Sequence, residues 1–202
     1  MTVPSLPRSD QKLIQIVDAA LADATQRSGT WLLCRVGCTQ CCTGVFAINQ
    51  LDALRLRAGM LELERRDPDR AARLKRRVDE SVARLTGNFP GNPETGRLDD
   101  TDSAQDFFES YGNDEVCPVL DPQIGACDLY SHRPMTCRVF GPPVRSEDGI
   151  GICELCFVGA TDEEIAACEM EPDPDHLEDR VLKAVELASG RDGTTIVAMS
   201  LR

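Results

Sequence analysis

CRVGCTQCC, residues 34–42, places four of the chain's ten cysteines within nine residues, and it governs how the rest is read. Thiolates are soft anionic donors with high affinity for zinc and iron, so such density calls for a chemical reason. Core packing places no demand on sulfur spacing, and cysteines that merely fill a core do not arrive as C-x3-C-x2-C-C. Five more follow at Cys117, Cys127, Cys137, Cys153 and Cys156, and only Cys168 stands apart, read as a buried thiol on a helix. Four thiolates complete a tetrahedral zinc site or hold a common iron–sulfur cluster. Nine exceed one mononuclear site, which leaves two metals, one polynuclear centre, or spare thiols. Cys41 and Cys42 are adjacent, and side chains of neighbours in extended or turn backbone diverge, so they are not expected to chelate one small ion together. His132 and His176 are the only histidines, which leaves mixed Cys/His ligation little to draw on. His132 reads as a hydrogen-bonded loop residue.

The 202 residues suffice for one domain with an aliphatic core, 42% being hydrophobic and only 4% aromatic. The opening MTVPSLPRSD lacks the basic start and apolar run of a secretory signal, and no stretch approaches a membrane span. The expectation is a cytoplasmic protein with no membrane association. In that compartment disulfides are disfavoured and clustered cysteines bind metal. A net charge of −12 argues against nucleic acid as a partner, since phosphates would repel the chain. Between Glu94 and Glu178 lie 21 acids against 4 bases, a net of −17. Residues 65–77 run the other way, with Arg65, Arg66, Arg70, Arg73, Lys75, Arg76 and Arg77 against Asp67 and Asp69. This basic face reads first as solvated. The alternatives are a docking surface for an acidic protein partner, or packing against the chain's own acidic half.

Hydrophobic periodicity predicts a mainly α protein with a small cysteine-rich loop and β-hairpin module (α+β), its helices surrounding a thiolate metal site. Ser9 is the expected cap of a first helix reaching about Arg27, striped by Leu13, Ile16, Val17, Ala20, Leu21 and Ala24. Asn49 caps a second, striped by Leu51, Leu54, Ala58 and Leu61. Asp67-Pro68 breaks it and starts a third, with Leu74, Val78, Val82 and Leu85 inward. Residues 86–104 read as a surface loop, followed by a short helix at Ala104–Ser110. Hairpins are expected from Val119-Leu120 to Asp128-Leu129-Tyr130, and over Pro143–Ile152 with a turn at Glu147-Asp148-Gly149. Thr161 and Glu164 form a capping box for a helix to about Met170. A last helix near Pro174 carries Leu177, Val181, Val185 and Ala188 and ends at Gly190; Thr194–Leu201 is a strand or a docked tail. One domain over 1–202 follows, with a cysteine module from 31–46 and 114–158, a helical hairpin inserted at 49–86, and C-terminal helices within 161–190.

CRVGCTQCC followed by CPVLDPQIGACDLYSHRPMTCRVF, residues 117–140, resembles the YkgJ-type cysteine-cluster proteins, described as a zinc- or iron-chelating domain with a CxxCxxCC signature. The resemblance runs from about 34 to 157. It implies that Cys34, Cys38, Cys41, Cys42, Cys117, Cys127 and Cys137 are metal ligands. The first gap here is three residues rather than two, and Gly141-Pro142 stands where relatives often carry another cysteine. Cys153 and Cys156 are the candidates to replace that ligand. Arg35, Arg133 and Arg138 flank Cys34 and Cys137 as candidate cofactor-binding residues, compensating charge and donating to sulfur; ordinary salt bridging is the alternative. The function implied is thiolate binding of zinc or iron, with an iron–sulfur or polynuclear centre as the finer form. One alternative is an iron-dependent or iron–sulfur redox or protein-modifying enzyme, since some relatives resemble flagellin lysine methylases. The other is a structural zinc module for protein interaction. C-x3-C-x2-C also matches the pattern of radical S-adenosylmethionine enzymes, but no repeated strand–helix units are present to build their barrel.

Overall fold

The computed structural model describes residues 5–35, 37–146 and 149–202. Its helices are α1 (Arg8–Ser28), α2 (Gln50–Arg66), α3 (Pro68–Leu85), α4 (Asp102–Phe108), α5 (Met135–Val139), α6 (Asp162–Ala167), α7 (Leu177–Ser189) and α8 (Val197–Ser200). The strands are two or three residues long: β1 (Ala47–Ile48), β2 (Gly91–Asn92), β3 (Arg97–Leu98), β4 (Leu120–Asp121), β5 (Ala126–Cys127), β6 (Val144–Ser146), β7 (Gly149–Gly151) and β8 (Thr195–Ile196). They form four antiparallel pairs, β1 with β8 and the others as hairpins. The architecture is mainly α with small β elements. No helix among the described residues is long and apolar enough to cross a membrane.

The helical hairpin α2–α3 is the scaffold, and its boundaries have local causes. Asn49 Oδ1 accepts from the Asp52 N–H at 2.9 Å, satisfying a donor that the first turn leaves free. Asp67 closes α2 and caps α3 by accepting from the Arg70 N–H at 3.0 Å, with Pro68 fitting the first turn where no N–H is needed. On α3, Ala71, Leu74, Val78 and Leu85 are buried and most of the charged side chains are exposed. Helix α2 departs from the single stripe expected of it, for Leu61 is 39% exposed. It is buried on two faces instead. Ala53, Leu56, Met60 and Leu63 meet α3, while Leu51 and Leu54 pack with Leu13 and Val17 of α1 and Val181 and Val185 of α7.

Between those faces lies a charge cluster that apolar periodicity does not reveal. Arg55 is 2% exposed; its Nε and Nη2 donate to Asp10 Oδ1 at 2.8 and 2.6 Å, and its Nη1 donates to Asp52 Oδ1 at 2.6 Å. Burial pushes the Asp52 carboxyl up, opposed by the adjacent guanidinium and by the Met135 N–H.

Several boundaries differ from expectation. α1 begins at Arg8 after Pro7, so Ser9 lies inside the helix and caps nothing; the proline already presets the entry. The 86–104 segment contains the β2–β3 hairpin, whose two-residue strands are too short for an alternating pattern to register. The return strand of the next hairpin is Ala126–Cys127 rather than 128–130, because the Pro122–Gly125 turn closes early: Gly125 N–H donates to Asp121 O at 2.9 Å. α6 stops at Ala167, although its Thr161/Glu164 capping box is present. The β6–β7 hairpin forms as expected, while Glu147 and Asp148 of its turn lie outside the described residues. The C-terminal segment is both strand and docked tail, since β8 pairs with β1 and α8 is buried.

Arg55→Leu should strand two buried carboxylates and lower unfolding stability by on the order of 3–5 kcal/mol in urea titrations. The triple variant Arg55→Leu/Asp10→Asn/Asp52→Asn should recover much of that loss.

Candidate metal centre

Two sets of backbone contacts bring the separated cysteine segments together. Cys41 and Cys42 end a 3-10 turn at Gln40–Cys42, closed by the Cys42 N–H donating to Thr39 O at 2.9 Å. The Cys117 N–H then donates to Cys42 O at 2.8 Å, and Gly44 N–H to Glu115 O at 2.9 Å, with Thr43 and Val116 in an antiparallel bridge. Further on, the Phe157 N–H donates to Trp31 O at 3.0 Å and the two rings stack with centroids 6.5 Å apart. That contact fastens Cys153 and Cys156 beside the start of the leading run. Their own turn is closed by Cys156 N–H on Cys153 O at 2.8 Å.

All ten cysteines are free thiols. Cys34 is exposed, Cys38, Cys41, Cys42, Cys117, Cys127 and Cys137 are half-buried, and Cys153, Cys156 and Cys168 are buried. Backbone N–H groups already face several sulfurs: those of Val119 and Leu120 reach Cys117, that of Leu129 reaches Cys127, and those of Leu33 and Cys34 reach Cys156. Such donors stabilise a thiolate without supplying net charge. Burial nevertheless pushes the Cys117 and Cys127 thiols up to about 11. Cys137 is also raised, by burial first and then by Cys117, Cys127 and Cys41. Cys34 is raised by burial and by Cys38, Cys41, Cys156 and Cys153. Crowded, desolvated thiols of this kind deprotonate readily only against a cation. By donor chemistry the set fits zinc or iron. Among the described residues, however, no three Cys, His, Asp or Glu side chains converge as on one ion, so the sulfurs are neighbours rather than posed ligands.

Cys41 and Cys42 lie side by side in the 3-10 turn, and the neighbouring Cys42 thiol, together with burial, raises the Cys41 pKa. The three arginines have different surroundings. Arg133 lies 4.0 Å from the Tyr130 ring centroid, donates to Tyr130 O at 3.0 Å, and is near enough to lower the Cys127 pKa. Arg138 is buried, donating to Asp18 Oδ1 at 2.6 Å and Ser131 O at 2.8 Å. Arg35 is exposed on the leading loop. Cys168 packs with Cys153, Cys156 and Phe157. His132 sits across Gly59, where an added Cβ would come within 2.7 Å of it, and its Nε2 is 3.6 Å from Glu62.

Two features of the site escape a reading of the sequence. Asp52 Oδ1 also accepts the Met135 N–H at 3.0 Å, which anchors the start of α5 and so positions Cys137. Arg70 and Arg77 both clamp the fully buried Asp128 carboxylate, next to Cys127, and Arg77 Nε also donates to Pro118 O at 2.9 Å. Part of the 65–77 basic face is therefore engaged by the chain's own acidic half. A cleft of about 400 Å³ opens onto Cys41, Cys137 and Cys153, walled by Val45, Phe46, Phe140 and Ile152. Gln40 Nε2 donates to Glu154 Oε1 at 2.8 Å beside it.

Because only the thiolate attacks, metal-free protein treated with iodoacetamide at pH 8 should be alkylated at exposed Cys34 well before Cys117 and Cys127. Raising the pH to 10 should speed labelling of the latter pair by roughly tenfold per unit, as their thiolate fraction grows. Peptide mass mapping over time reads both.

No curated protein and no solved structure shows a significant match to the chain. Residues 33–157 match the family model described as "CxxCxxCC: Putative zinc- or iron-chelating domain", a span that takes in both cysteine groups and the helical hairpin between them. The chain belongs to this CxxCxxCC family.

Proposed function

We propose that this protein binds zinc or iron through thiolates of Cys34, Cys38, Cys41, Cys42, Cys117, Cys127, Cys137, Cys153 and Cys156, within a module of residues 31–46 and 114–158. The observation that carries the reading is the Cys42–Cys117 backbone stitch together with the Trp31–Phe157 contact. These make neighbours of thiols that lie far apart in sequence, a meeting that core packing alone does not require. Bound zinc would cross-link the loops, and bound iron would add electron transfer. The chain's own groups prepare the site. N–H donors face Cys117, Cys127 and Cys156, and Arg133 offsets negative charge at Cys127. Arg35 is assigned the same role for Cys34. A reducing, cytoplasmic location goes with this reading, because oxidised sulfur would lose its metal.

The cleft at Cys41, Cys137 and Cys153 favours a second reading, in which an iron or iron–sulfur centre acts on a ligand. A structural zinc site is closed, whereas a working site keeps an accessible face.

Protein purified anaerobically should contain zinc or iron by elemental analysis, and its visible spectrum separates the readings: colourless for zinc, brown for iron–sulfur. Cys41→Ser and Cys137→Ser should each lower metal content. A structural metal contributes on the order of 10–16 kcal/mol to folding, so chelator should lower the melting temperature sharply. Full metal content in both variants would end the ligand assignment.

A further inference from the structure

Arg70 and Arg77 stand two turns apart on α3, with buried Leu74 between them. Both reach the segment 117–128, which the β4–β5 pair folds back on itself so that one leg carries Cys117 and the other Cys127. Arg77 holds the two legs at once. Its Nη2 donates to Asp128 Oδ2, one residue past Cys127, and its Nε donates at 2.9 Å to Pro118 O, one residue past Cys117. The legs are also joined to each other, since the Asp128 N–H donates to Val119 O at 2.8 Å and Cys127 lies opposite Leu120. Val119 and Leu129 share the core cluster of Leu74 and Val78, so the folded segment rests on the helix that carries the arginine. The first leg continues the chain of contacts, because the Cys117 N–H donates to Cys42 O.

Balancing Asp128 does not account for this arrangement. One arginine neutralises one buried carboxylate, and Arg70 already pairs with Asp128 through Oδ1. Arg77 is a second cation on the same group, and its other bond goes to a carbonyl, which offers no charge to pair with. A planar guanidinium fork fixes two acceptors at a set separation, which a lysine ammonium does not. Surplus positive charge beside the two sulfurs also suits thiols that bind metal as anions.

We infer that Arg77 is a positioning residue for Cys117 and Cys127, clamping the two legs that carry them at a set spacing before any metal arrives. The inference rests on the metal-binding reading above and names the residue outside the cysteines that prepares the site. Arg77→Lys is the informative change. It keeps the positive charge, and Arg70 keeps Asp128 paired, but the bond across the two legs is lost. A merely stabilising contact would lower the urea midpoint of the variant and leave the metal affinity of its folded form where it was.

The test uses the reduced, metal-free full chain. In nitrogen-15 NMR of wild type, the Arg77 Nε–H should exchange with solvent at least about tenfold more slowly than that of exposed Arg76. Cobalt(II) affinity is read from sulfur-to-cobalt charge-transfer absorption in competition with a chelator. It should fall by roughly 10–100-fold in Arg77→Lys, with unchanged stoichiometry. Arg77→Gln/Asp128→Asn, which leaves no buried carboxylate to pair, should show the same fall, and Arg76→Lys should bind like wild type. Circular dichroism reports which variants fold without metal, and the exchange rate in wild type decides the matter where neither Arg77 variant does. Fast exchange at Arg77 Nε in metal-free wild type, or a folded Arg77 variant that binds cobalt as tightly as wild type, overturns the positioning role and leaves the metal-binding reading standing. No thiolate-bound cobalt in wild type overturns both.

Discussion

Arg55 lies buried between two carboxylates from different helices, Asp10 of α1 and Asp52 of α2, and through Asp52 it reaches the backbone of α5. Three charges withdrawn from water are tolerable only if the geometry holds, because a missing partner leaves an uncompensated buried ion. That requirement fixes the register of α1 against α2. It also fixes α5, since Asp52 accepts from the guanidinium and from the Met135 N–H through the same Oδ1. Arg138, one residue beyond Cys137, returns to α1 by its bond to Asp18. Cys137 is thus set by a polar network anchored in the helical scaffold, and a sulfur on a five-residue helix acquires a defined position that its own short element could not provide.

The acidic half is held to the scaffold by the same logic at a different place. Asp128 would be intolerable alone where it lies, with its side chain fully hidden, and Arg70 and Arg77, two turns apart on α3, neutralise it. Arg133 and Arg70 also oppose the rise that burial imposes on the Cys127 thiol. The basic run and the acidic segment are therefore partly one feature, divided in the sequence and rejoined in the fold. Exposed Arg65, Arg66 and Arg76 remain at the surface, where ion pairs contribute little to stability.

Local signals were readable in the sequence because their causes are local. Asn49, Asp67-Pro68 and the Thr161/Glu164 box each act within four residues, and each is found where the residue types place it. The family, too, is legible in cysteine spacing and the Cys-Pro and Arg-Pro strings. What could not be read depends on partners distant in the chain. An Asp and an Arg on a helix look solvated until α1 covers them, so the two-faced burial of α2 was invisible and its apparent stripe misled at Leu61. Nothing in TQCC announces the 3-10 turn that holds Cys41 and Cys42, since its hydrogen bond joins backbone groups and leaves no residue pattern. The β2–β3 hairpin offers too few residues for a period of two to appear.

The helical hairpin between the cysteine segments has a physical consequence of its own. Bringing Cys42 to Cys117 closes a loop of about 75 residues, a cost that grows only with the logarithm of length and is smaller still when the intervening chain is folded. α2 and α3 pack on each other as a helical hairpin, so they return the chain toward its point of departure. The Val45–Gly112 and Gly44–Glu115 backbone bonds then lie where the hairpin's two ends arrive. A scaffold of this kind reduces the entropy lost when the remote cysteine segments meet.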